Sequence, residues 1–451
     1  MEKLIKKYNK PDSILVISSY PEKGVLYSGK VCAVGGFAKN TIRSVKKYLA
    51  RKGQKRKIIV LTVTTGQEEI YVEDGILVIR IFERNNVLSY LSIFKTVRKF
   101  NKVKDTLVEF EFASFGDTKT AGFFPLTLMF LRLLEKNITL VLHQVTPSLD
   151  ELWGHVGFKK NSLKLYFFNL IIKFFYFALT LFPQKIVVLE EIFKQRLAGL
   201  TDINKVTVIP HGVDKKVRKI SKNSARAKLG IKKDEFVLLY FGYLTWYKGA
   251  DWIIKNASEN IPKTRKKKVK LIIAGGESFT QKNKPHYRDL LVKIHNFTRN
   301  NKNISITGFV EEKNIPLYFS ACDLVVFPYR TVISSSGPLS LAFSFGKPLL
   351  MSSAFKDYFL SSDFSLALNE NGLCEDDILF TMGEKNLFNI VKNIDKRKLA
   401  KLASFSINVA KKRSFTVLGK GYYDLISSKI ESPVTSPVKL FRWLKLASFS
   451  N

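Results

Sequence analysis

Short apolar runs alternate almost from end to end with stretches in which apolar positions recur every three or four residues. A strand buried on both faces needs a continuous apolar run, whereas a helix packed on it needs one apolar side, so this alternation predicts parallel sheets joined by helices. A first series of strands is expected at Ser13–Ser19, Lys57–Val63, Ile76–Phe82, Thr106–Phe112, Ile138–His143, Lys185–Glu190 and Val206–Pro210. Phe37, Ile42, Val45 and Leu49 mark one face of a helix between the first two. After His211-Gly212-Val213-Asp214 a second series follows at Phe236–Phe241, Val269–Ala274, Ile304–Thr307, Leu324–Phe327 and Pro348–Ser352. Helices are expected between them at Gly249–Asn256, Tyr287–Phe297 and Ile315–Ser320. The pattern predicts an α/β fold of two doubly wound, Rossmann-like domains, at 1–208 and 209–414, with ligands in the cleft at the carboxyl ends of the strands.

A further helix is expected at 415–431, crossing back from the second domain. Ser432-Pro433 and Ser436-Pro437 then interrupt the pattern. The tail at 432–451 contains Val438–Phe449, where Lys439, Arg442 and Lys445 gather on one side of a basic amphipathic helix suited to a membrane interface. A disordered tail and one docked on its own protein are the alternatives.

One apolar stretch, Leu163–Phe182, is long enough to raise the question of a membrane span. Lys173 at the centre of a span would cost about 2.5–3.5 kcal/mol. Asn169, Lys173, Tyr176 and Thr180 fall on one narrow polar stripe of a helix. The stretch is read as a largely buried domain helix, with a membrane-surface helix and a span as the alternatives.

Composition narrows the class. The 451 residues are 46% hydrophobic and 25% charged, a globular balance large enough for two cores. Lys and Arg outnumber acidic residues 74 to 38, and the formal charge of +36 favours anionic partners. The densest basic runs are Lys215–Lys222, Lys263–Lys270 and the segment from Arg43 to Lys57; each also reads as a solvated face. Cys32, Cys322 and Cys374 are isolated and lack metal-ligand spacing, which fits a reducing cytoplasm. The charged N-terminal stretch has no apolar signal-peptide core. No helix-turn-helix, zinc-finger or RNA-binding pattern appears, so nucleic acid is not an expected partner.

Candidate chemistry collects at strand ends. Lys248, in YFGYLTWYKG, lies at a strand–loop–helix junction where a point charge meets a diphosphate, and Gly249 opens the helix. Ser336 and Gly337, in SSSGP, begin another helix whose N–H groups suit an anion. Gly35 and Gly36 open a helix after the first strand, where a ligand could approach the backbone; a structural turn accounts for them equally well. His143 ends a strand and is either functional or satisfied within the fold. Glu111, set among Phe110, Phe112 and Phe115, needs a functional role or a salt bridge to justify burial. Neither a Walker loop nor a GxGxxG fingerprint is present.

In order along the chain, AVGGFAKNT, VEFEFASFG, LVLHQVTP, VIPHGVD, FGYLTWYKGADWII, LIIAGGES, ITGFVEEKNIPLYFSACDLVVFPYR and SSSGPLSLAFSFGKP resemble a family-four glycosyltransferase of GT-B architecture, over roughly Ser13 to Ile430. The resemblance implies transfer from a nucleotide-diphosphate sugar to a polysaccharide or lipid-linked acceptor, with retention of anomeric configuration, no metal and no separate cofactor. It implies donor contacts from Gly35, Gly36, Lys248, Ser336, Gly337 and, near the nucleotide, Glu277, with His143 and Glu111 on the sugar or acceptor side. A cytoplasmic enzyme held against an anionic inner membrane face is the expected setting. The chain departs from the pattern where Tyr243 replaces an Arg five residues before the Lys, and where Ile333 and Leu341 replace a Glu-x7-Glu pair. A catalytically inactive GT-B scaffold that binds a polyanion or a partner enzyme is therefore the alternative.

Overall fold

The computed structural model describes residues 2–428 apart from 27–30, 33, 216, 219, 262–267, 279, 300, 384 and 385. The tail expected at 432–451, the end of the helix expected at 415–431 and most of the Lys263–Lys270 run lie outside the described residues.

The first sheet has eight strands: β1 (Ile14–Ile17), β2 (Ile58–Val63), β3 (Glu69–Glu73), β4 (Ile76–Phe82), β5 (Asp105–Phe110), β6 (Asn137–Leu142), β7 (Lys185–Val188) and β8 (Val206–Val208). They run in the order β3-β4-β2-β1-β5-β6-β7-β8, and each neighbouring pair is parallel except β3 with β4. Strand β3 escaped the sequence reading because its acidic segment is a half-exposed edge with no apolar run. The second sheet comprises β9 (Glu235–Phe241), β10 (Lys268–Ala274), β11 (Ile304–Ile306), β12 (Leu324–Phe327), β13 (Leu349–Ser352) and the two-residue β14 (Leu379–Phe380). Its order is β11-β10-β9-β12-β13-β14, all parallel. In both sheets the central strands are buried on both sides, as their unbroken Val, Ile and Leu runs require.

The last described helix, Phe415–Ser427, returns from the second sheet to the first. Its Leu418, Tyr422 and Ile426 share one buried cluster with Phe37, Ile42, Val45 and Leu49 of the Val34–Arg51 helix.

The Leu163–Leu181 helix corrects the expectation of a largely buried segment. Its second half is buried through Phe175, Tyr176, Leu179 and Thr180, but Leu163, Tyr166, Phe167, Leu170 and Ile171 are exposed. Three of the four polar-stripe positions, Asn169, Tyr176 and Thr180, are engaged by the protein, while Lys173 is exposed. Asn169 Oδ1 accepts from Leu149 N at 2.7 Å, its Nδ2 donates to Asp150 at 2.8 Å, and the Tyr176 hydroxyl accepts from Thr146 N at 3.1 Å. These polar positions satisfy the loop after β6, a demand that periodicity alone does not reveal.

Candidate functional site

The loop after β9 places Lys248. Gly242, at φ +132°, donates from its N–H to Ala274 O at 3.1 Å, and Gly249, at φ +70°, starts the Ala250–Asn260 helix. A side chain on Gly242 would come within 3.3 Å of both Lys248 Nζ and Pro338 Cγ. The ammonium therefore lies over Gly242 beside the first turn of the Gly337–Ser344 helix. Lys248 is 9% exposed, and among the described residues no hydrogen bond or ion pair holds its Nζ, which lies 5.8 Å and 5.9 Å from the Tyr247 and Tyr329 ring centroids. Burial pushes its pKa down to about 8. A buried cation without a hydrogen-bonding or ionic partner in the protein, next to a helix N-terminus, is arranged for an external anion.

Ser336 caps that helix, its Oγ accepting from Leu339 N at 3.2 Å and sharing a hydrogen bond of 2.9 Å with the Tyr329 hydroxyl. Its hydroxyl is thus engaged by the protein, which leaves Gly337 as the open position: a methyl group there would meet nothing within 4 Å. At Gly249, by contrast, a methyl group would sit 1.8 Å from Pro328 O. Gly249→Ala is expected to cost about 1–3 kcal/mol in urea unfolding. Gly337→Ala is expected to leave that transition in place while weakening any anion bound at the helix end.

Glu111 and His143 occupy the facing rim, immediately after β5 and β6. Burial raises the Glu111 carboxyl, offset in part by the Ala113 N–H, His143 and Arg84. Its charge is also felt by Tyr247, across the cleft beside Lys248. His143 stacks edge-on against Phe37 with ring centroids 4.8 Å apart, so the helix opened by Gly35 and Gly36 packs directly on it. The direct carboxylate neighbour of His143 is Glu109, one strand repeat before Glu111: Glu109 Oε2 lies 3.5 Å from His143 Nε2 and accepts from Ser18 Oγ at 3.0 Å. The alternation in VEFEF carried that signal, since positions 109 and 111 face the same side of a strand.

Other members were not singled out from the sequence as site residues, although Phe37, His211, Ser340, Trp246 and Tyr247 lie within the quoted motifs. Phe37 also touches His211 at 4.9 Å, and the Ser340 hydroxyl of the second domain meets His211 Nδ1 at 2.8 Å. The short Trp153–Val156 helix of the first domain lies on the Lys248 loop: Trp153 packs edge-on against Trp246, with ring centroids 5.2 Å apart, and His155 edge-on against Tyr247 at 5.0 Å. Burial, then Lys284, His286 and Lys248, bring the His155 pKa down to about 4, so this ring is neutral at physiological pH. Glu277 meets the Lys248 loop through its backbone. It is exposed on the next loop and forms an isolated bridge with Leu244. The larger of the two described cavities, about 410 Å³ and lined by Asp105, Asn137, Thr139, Lys185 and Ser428 among others, opens at the opposite, amino ends of β5, β6 and β7.

Residues 221–356 match the family described as glycosyl transferases, group 1. The chain has the GT-B fold. The match covers the Lys248 loop and the Gly337–Ser344 helix. Among solved structures, the chain is similar to the Anabaena protein HepE in complex with UDP and glucose, at 19% identity and a TM-score of 0.61 over 92% of this chain and 100% of that one. It is similar to sucrose-phosphate synthase from Thermosynechococcus elongatus at 14% identity and a TM-score of 0.64, over 97% and 100%. Trehalose-6-phosphate synthase OtsA aligns at 9% identity and a TM-score of 0.63, over 93% and 100%. No curated protein matches the chain.

Proposed function

We propose that this GT-B protein is a glycosyltransferase that moves a sugar from a nucleotide-diphosphate donor onto a polysaccharide or lipid-linked acceptor, with retention of configuration. The observation that carries the reading is the unpartnered, buried Lys248 ammonium beside the Gly337 helix end. A leaving diphosphate develops charge as the glycosidic bond breaks, and fixed positive groups in a dry cleft stabilise it in the transition state. Lys248 and the helix N-terminus would supply that charge in place of a metal. The domain at 209–414 would hold the donor, with Glu277 toward the nucleotide. The domain at 1–208 would present His143 and Glu111 to the sugar and acceptor, with Gly35 and Gly36 approaching the donor phosphates. HepE was solved with UDP-glucose, which supports a uridine donor. The +36 charge supports a peripheral place on an anionic inner membrane face.

Ile333, which is buried, and Leu341, which packs on the core, hold the positions of the two missing glutamates and favour the scaffold as a second reading. A thermal-shift series with UDP, GDP and their sugars separates the two. A donor present at 100 times its dissociation constant adds about 2.7 kcal/mol to the folded state. A selective rise in melting temperature is expected with one nucleotide class. No rise with any nucleotide at millimolar concentration would leave the scaffold standing.

A further inference from the structure

The Leu163–Leu181 helix turns Asn169, Tyr176 and Thr180 to the protein and a row of large apolar side chains to the outside. On a helix of 3.6 residues per turn, Leu163, Phe167 and Leu170 point within about 40° of one direction. They are 83%, 60% and 46% exposed, and Tyr166 and Ile171 border them at 61% and 47%. Lys164 and Lys173, both exposed, stand on opposite flanks of this row, roughly 80–100° to either side. Lys159 and Lys160 extend the basic rim just before the helix, and Lys164 Nζ lies 4.8 Å from the centroid of the Phe158 ring. The neighbouring Phe124–Leu133 helix adds Leu126, Phe130 and Leu133, one helical face exposed at 46%, 39% and 70%.

We propose that this face docks on an anionic lipid surface, with the Leu163–Leu181 helix lying in the plane of the interface and its outward row sunk among the acyl chains. The proposal deepens the peripheral-membrane part of the function given above and rests on it. Lysines on both flanks of an apolar row match a bilayer interface, where the stems cover apolar surface and the ammonium groups reach the phosphates. A purely apolar protein groove would leave the ammonium groups on both sides without anions. The helix does not cross the bilayer: Asn169 and Tyr176 are bonded to the loop at 144–150, and Phe175 and Leu179 are buried in the first domain. A span would have to break all of these contacts.

The test uses the full chain and co-sedimentation with phosphatidylcholine vesicles, with and without phosphatidylglycerol. The wild type is expected to bind the anionic vesicles, and Phe167→Ser/Leu170→Ser to lower the partition coefficient by about tenfold or more without moving the melting temperature, since both side chains are exposed. A Phe167→Trp variant, read as the difference from wild-type fluorescence, is expected to shift to the blue and to be quenched by brominated acyl chains only when anionic vesicles are present. Unchanged binding of the double variant, reversed by salt, would mean attachment by charge alone, overturning this proposal and sparing the peripheral one. No binding of the wild type to either vesicle would remove both, leaving the transfer chemistry to its own nucleotide test. A tryptophan already blue-shifted without vesicles would overturn the proposal too, assigning the face to a second copy if the protein sediments as a dimer and to another segment of the chain if it sediments as a monomer.

Discussion

Lys248→Ala is expected to lower the rate of sugar transfer by about a hundred- to a thousandfold, the usual effect of deleting one preorganised charge-stabilising group, while the protein folds normally. Two effects oppose each other at this residue. Burial disfavours the ammonium and brings its pKa to about 8, so at neutral pH the folded protein carries a charge that its surroundings resist. The unfolded chain, with a lysine pKa near 10.4, holds its proton more tightly. Between about pH 8 and 10.4 the unfolded state therefore binds more protons, and the stability of the free protein should rise with pH in that window. Lys248→Ala removes the penalty: it should match or exceed the wild type in stability at pH 7 and lose that stretch of pH dependence. Donor affinity should move the opposite way. As pH rises through about 8 the free site loses its charge, so UDP binding should weaken in the wild type and stay uniformly weak in the variant. Calorimetric titration of UDP at pH 7 and pH 9, alongside urea unfolding, reads both. A variant that binds UDP as the wild type does at either pH would remove Lys248 from the site.

The strands that build the cleft were legible because burial on both faces leaves a long apolar run, and Lys248 because the strand–Gly–Lys–Gly–helix order is local. What could not be read was set by partners far away in sequence. The alternation in VEFEF puts Glu109 on the face of Glu111, but its neighbour His143 is set only when β5 and β6 pair. His155 lies more than ninety residues before Tyr247, and only the approach of the two domains makes them neighbours. The Leu163–Leu181 helix shows the same limit in the other direction. Its polar stripe was visible, but which side it faced depended on the unsatisfied N–H groups of the loop at 144–150. Periodicity finds an amphipathic face; it does not say whether water or the fold's own backbone will satisfy the polar side.

The largest loss of stability is expected from Arg413→Met. Arg413 is 2% exposed and fork-bonded to Glu190, which follows β7 in the first sheet: Nη1 to Oε1 at 2.7 Å and Nη2 to Oε2 at 2.9 Å. Its Nε is paired with Asp363, and Phe364 lies against the guanidinium, 4.7 Å from ring centroid to Cζ. Burial works against the Arg413 charge, but Glu190 and Asp363 outweigh it and hold its pKa above the usual arginine range. Removing the guanidinium leaves Glu190 buried and unpaired, a change that costs about 3–5 kcal/mol. Replacing both charges should cost less than replacing one, so Glu190→Gln/Arg413→Met is expected to recover part of the loss, with a coupling energy of about 0.5–3 kcal/mol. Acid should bring the wild type toward the variant. Burial alone would raise the Asp363 carboxyl, yet Arg413 and its hydrogen bonds leave it below the usual aspartate range. The stability it adds is full above the unfolded aspartate value near 3.9 and fades as pH falls through the lower folded one. The same network reaches the proposed donor site, because Ser335 Oγ donates to Glu190 Oε1 at 2.9 Å one residue before the Ser336 cap. Arg413→Met should thus weaken nucleotide binding through Glu190 and Ser335, whereas a merely structural ion pair would lower the unfolding free energy and leave the affinity of the folded protein intact. Urea unfolding and UDP titration on the two single variants and the double variant distinguish these outcomes.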